Sequence, residues 1–100
     1  MILELSFNNR DEFEEYFFGP YAEKEFIFDS IFNGIKEAIR LDKEVTTFAK
    51  VHFKGDPVPV YLDIPKDNWI DSLENALRFY EKNDLFEKCI DVSNTIKSIF

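Results

Sequence analysis

One hundred residues, 45% of them apolar, make a single domain with one core and exclude a second. Twenty acidic side chains against twelve basic ones leave a charge of −8 with no basic run, which disfavours phosphate backbones and anionic lipid as direct partners. One cysteine excludes an internal disulfide framework, and no apolar stretch approaches the ~20 residues of a membrane span.

The start MILELSFNNR has no basic n-region, so no signal peptide is expected and a cytoplasmic location fits the lone thiol. Residues 2–7 alternate, with Leu3, Leu5 and Phe7 on one side and Glu4 and Ser6 on the other, and predict a short strand. Asn9 predicts an N-cap, with Glu12 at capping-box spacing. The helix that follows, about 10–18, carries Asp11, Glu12, Glu14 and Glu15, with Phe13, Tyr16, Phe17 and Phe18 as its apolar side. Gly19-Pro20 stops it.

A longer helix is predicted over about 21–41, where Phe28, Ile31, Phe32, Ile35, Ala38 and Ile39 repeat every three or four residues. Gly34 inside it costs ~1 kcal/mol against Ala; it either permits a close backbone approach or is neutral drift. Residues 45–64 read as a β-hairpin. Val45, Thr47, Ala49, Val51 and Phe53 alternate on one arm, Val58, Val60, Leu62 and Ile64 on the other, around Gly55-Asp56-Pro57. A third helix, about 67–82, opens at Asp67 or Asn68. It buries Trp69, Ile70, Leu73, Ala76, Leu77 and Tyr80, with a Glu74–Arg78 pair outside. Asp84, with Glu87 three residues on, predicts the cap of a last helix, about 84–98, with Phe86, Cys89, Ile90, Ser93 and Ile96 inward.

The fold class expected is α+β: a small antiparallel sheet made of strand 2–7 and hairpin 45–64, packed by about four helices. The last two form an αα-hairpin because their connection is so short.

Few residues carry chemistry. His52 is the only histidine and falls on a strand; Cys89 falls on an apolar stripe, where cysteine acts as a small hydrophobe. One Cys and one His make no structural zinc site, no Asp-x-Asp-x-Asp-Gly run makes a calcium loop, and three glycines make no phosphate cradle, so no metal or cofactor is expected. Phe48, Lys50, His52 and Tyr61 share a hairpin face by alternation, a thin basis for stacking RNA bases. An enzyme would have to use His52 and the acids near Asp63.

What remains is a surface. The segment EFEEYFFGPYAEKEF interleaves rings with carboxylates, and its expected partner-binding residues are Glu12, Phe13, Glu14, Glu15, Tyr16, Phe17, Tyr21, Glu23 and Glu25. The function expected is therefore non-catalytic: a small acidic protein of inhibitor, immunity or mobile-element accessory type, docking on a basic surface of a larger protein and imitating nucleic acid there. The alternative is a self-associating structural subunit; monomer and homodimer both stay open.

Overall fold

The computed structural model describes residues 2–19 and 22–99. The chain runs β1 (Leu3–Phe7), α1 (Arg10–Phe18), α2 (Glu25–Arg40), β2 (Val45–Phe53), β3 (Val60–Pro65), a 3-10 turn at Lys66–Asn68, α3 (Trp69–Lys82) and α4 (Phe86–Ile99). The molecule is 20 Å across its thinnest dimension, which suits one sheet layer and one helix layer.

This is the expected α+β architecture, with a consecutive α3–α4 pair, but the sheet is mixed. Its order is β1-β2-β3, with β2 and β3 antiparallel and β1 parallel to β2. The two helices between β1 and β2 provide the crossover that a parallel pair needs.

The hairpin departs from strict alternation at one place. Thr47 pairs with Asp63 and Ala49 with Leu62, so Phe48 is an extra residue with no partner of its own, a β-bulge. Val45 and Thr47 consequently lie on the opposite face from Ala49, Val51 and Phe53, and the Phe48 ring packs against the core instead of joining Lys50, His52 and Tyr61. The proposed base-stacking quartet loses its principal ring. The Ser30 hydroxyl donates to the Phe48 carbonyl at 3.1 Å and fastens the bulge to α2. The second arm begins at Val60; Val58 belongs to the turn, where its N–H donates to Asp56 Oδ1 at 3.0 Å.

Inward from the sheet, Phe32, Ile35, Ala38, Ile64, Trp69, Leu73, Ala76, Tyr80 and Val92 form the core. Trp69 fills it fully because its indole N–H reaches the Ile64 carbonyl at 2.9 Å, leaving no buried donor unpaired. Gly34 marks the close approach of α2 to the sheet: a Cβ there would stand 2.8 Å from Thr46 Oγ1.

Helix ends explain most boundary differences. Asn9 caps α1 as expected, accepting from the Glu12 N–H at 2.9 Å, while the Glu12 carboxylate reaches Asn8 and not the cap residue itself. α2 starts at Glu25, four residues later than expected. Neither Asp67 nor Asn68 caps α3 through its side chain; the entry is the 3-10 turn. Asp84 is no N-cap: at φ 58° it ends α3, and the Leu85 N–H returns to the Tyr80 carbonyl at 2.9 Å in the manner of a Schellman motif. Asp42, at φ 55°, ends α2 likewise, with the Lys43 N–H on the Ala38 carbonyl at 2.8 Å. Along residues 85–99 the inward stripe is Leu85, Cys89, Val92, Ile96 and Ile99, and Phe86 and Ile90 point outward at 66% and 63% exposure. Arg78 pairs with Asn75 and not with Glu74.

Candidate protein-docking face

α1 has two unlike sides. Phe13, Tyr16 and Phe17, at i, i+3 and i+4, turn toward the sheet and meet Phe7 and Phe53 there. Phe13 lies 5.6 Å from Phe7 and 5.8 Å from Phe53 between ring centroids, both edge-on. Tyr16 lies 5.3 Å from Phe7, and the Lys24 ammonium caps its ring at 4.0 Å. These rings hold α1 down, yet each is only half-buried and no residue of α1 is fully enclosed. They form a satellite aromatic cluster separate from the main core.

The opposite side of α1 carries Asp11, Glu14, Glu15 and Phe18, all exposed, Phe18 at 79%. Their spacing is i, i+3, i+4 and i+7, which places three carboxylates and one ring in a single stripe. Glu14 has a loose partner in Arg10 at 3.8 Å. No basic residue occupies the last turn of α1, and Glu15 brings a negative charge to the end where the helix dipole disfavours it.

The other expected docking residues are dispersed. Glu12 is engaged in capping: the Asn8 N–H and then the Asn8 amide bond to its carboxylate and hold it below the usual carboxylate range. Glu23 pairs with Lys82 at 3.4 Å, and Glu25 pairs with Lys88. Tyr21 lies outside the described residues. Glu14 and Glu15 thus stand together on the outward stripe, joined by Asp11 and Phe18. The signal for those two was the heptad-like spacing of 11, 14, 15 and 18, against that of 13, 16 and 17.

The residues with catalytic potential are spread apart. On the outer sheet face His52 Nε2 stands 3.2 Å from Glu4 Oε1, with Lys50 3.9 Å from the same oxygen. These are exposed cross-strand pairs, which parallel pairing of Glu4 with Lys50 and Ser6 with His52 brings together. Asp63 bonds Thr47 and not the histidine. The Cys89 thiol is pushed above its ordinary value by its apolar surroundings and then by Glu81, which disfavours the thiolate a nucleophile needs. Among the described residues no group of three His, Cys, Asp or Glu is arranged to hold a metal ion, and no helix is long and apolar enough to cross a membrane.

Comparison with known proteins finds no match to this chain, whether among family models, curated proteins or solved structures.

Proposed function

We propose that this protein is a non-catalytic binding module that docks on a basic surface of a larger protein through the outward stripe of α1. The observation that carries the reading is the exposed set Asp11, Glu14, Glu15 and Phe18 on a helix whose opposite side is anchored by rings. In this reading Phe18 is the desolvated anchor, and the carboxylates steer the encounter and set its salt dependence. The surplus of acid over the whole chain adds long-range attraction for a positive partner. A partner that otherwise meets phosphate would find carboxylates in its place, as expected of an inhibitor or accessory protein.

The test is affinity capture from a source-cell lysate with three baits: the wild type, a face variant (Asp11→Asn, Glu14→Gln, Glu15→Gln, Phe18→Ser), and a charge-matched control neutralised on α3 and the 3-10 turn before it (Asp67→Asn, Asp71→Asn, Glu74→Gln). A basic protein should be held by the wild type and the control, lost by the face variant, and released by salt. Equal loss from both variants, or capture indifferent to salt, would overturn the reading.

A further inference from the structure

The two edges of the sheet are protected differently. β3 is bracketed by Pro59 and Pro65, which offer no N–H to an added strand, and Pro57 lies just beyond. β1, at the other edge, has no proline, no bulge and one charged residue, Glu4. Its Phe7 carbonyl accepts from the Lys54 N–H at 2.9 Å, so Leu3, Leu5 and Phe7 aim their backbone groups at β2. By strand alternation, Glu4 and Ser6 aim theirs outward. The inner face also stays open there: Val51 is wholly buried, whereas its neighbours Leu3 and Leu5 on β1 are only half-buried.

We infer that the β1 edge pairs with β1 of a second copy about a two-fold axis, antiparallel and centred on Leu5, to make one six-stranded sheet. The choice of a second copy follows from the self-complementary pattern Leu3-Glu4-Leu5-Ser6-Phe7. Only even-numbered residues present outward groups, so few registers are open. Pairing Glu4 with Glu4 opposes like charges, and pairing Ser6 with Ser6 sets Glu4 against Asn8, whose N–H is already held by Glu12 at 3.0 Å. Pairing Glu4 with Ser6 uses all four outward groups of each copy, separates the charges, and sets Leu5 against Leu5 and Leu3 against Phe7 on the inner face. An axis normal to the sheet keeps the helix layers of both copies on one side. α1 sits over Phe7, at one end of β1, so the two copies of α1 fall at opposite ends of the seam.

This inference does not rest on the α1 docking face, and its salt response has the opposite sign. Two copies at −8 each repel, so salt should tighten the pair where it loosens a basic partner. Sedimentation velocity over a concentration series should show a monomer–dimer equilibrium that shifts toward dimer at about 0.5 M salt. Ser6→Pro removes an outward N–H that β2 does not use, and should raise the dissociation constant about tenfold or more while keeping the wild-type circular dichroism. As a second readout, Leu5→Cys in a Cys89→Ser background should oxidise to a covalent dimer, because facing residues of a non-hydrogen-bonded pair are about 4.5 Å apart at Cα. Leu3→Cys in that background should not, its counterpart lying about 13 Å away along the strands. A monomer at every concentration and salt, or equal cross-linking of the two cysteine variants, would overturn the inference.

Discussion

The Tyr80 hydroxyl donates to Asp29 Oδ1 at 2.6 Å from a ring with no exposed surface. The same carboxylate receives the Lys88 ammonium at 2.9 Å and 3.0 Å, and Lys88 also holds Glu25. One carboxylate thus ties α2 to both members of the α3–α4 hairpin. Desolvation first, and the bond to Asp29 second, hold the Tyr80 phenol far above its ordinary value.

Removing either partner should destabilise the fold. Tyr80→Phe deletes a hydrogen bond to a charged acceptor and should cost about 1.5–3 kcal/mol, while Asp29 keeps Lys88. Asp29→Ala leaves the Tyr80 hydroxyl buried without an acceptor and Lys88 with Glu25 alone, and should cost at least as much. Urea denaturation of both single variants and the double variant should show clear non-additivity.

The same phenol predicts an alkaline loss of stability. An unfolded tyrosine ionises near 10, whereas Tyr80 in the fold stays protonated. Above that pH the unfolded chain binds fewer protons, so stability falls as pH rises, and the contribution is complete below pH 10. Lys88, raised by its bonds to Glu25 and then Asp29, contributes in the same direction. Urea midpoints at about pH 8 and about pH 11 should differ less in Tyr80→Phe than in the wild type.

Asp42 and Asp84 occupy left-handed positions at helix ends, where a side chain is strained and a negative charge opposes the dipole. Asp42→Gly and Asp84→Gly should each stabilise by about 0.5–1 kcal/mol, and alanine at either position should not. Midpoints from chemical denaturation decide this; glycine variants no better than alanine variants would contradict the left-handed assignment.

Gly34→Ala should destabilise although alanine is the better helix former by about 1 kcal/mol, because its methyl would crowd Thr46 Oγ1. In a Thr46→Ala background that obstruction is gone, and Gly34→Ala should become neutral or stabilising there. The sign reversal is the measurement.

Phe17 and Phe18 are adjacent and should behave as opposites. Phe17→Ser removes a ring packed edge-on or tilted against Phe7, Phe13 and Tyr16 and should cost about 1–3 kcal/mol. Phe18→Ser, at an exposed position, should change stability by less than about 0.5 kcal/mol. Thermal melts of the two variants separate them.

Local chemistry made parts of this fold legible. Asn9 and Gly19 bound α1 at 10–18 because cap and stop act within a few residues. Long-range packing hid the rest. VTTFAKVHF reads as one unbroken alternation, and only the partner strand reveals that Phe48 is supernumerary. Residues 85–99 hold apolar side chains on more than one flank, and only packing against the rest of the core decides that Leu85 and Val92 turn inward while Phe86 and Ile90 do not. On α1 residue type alone groups Phe18 with the other rings, but it lies one residue, or about 100° of helix, past Phe17 and falls among the acids.

The supernumerary Phe48 lets two consecutive side chains, its own and that of Ala49, point to the same side of β2. Without it, Thr47 and Ala49 would still meet Asp63 and Leu62 in regular succession, and every other residue would keep its side. Its contribution is therefore one more ring delivered to the interior without a longer sheet.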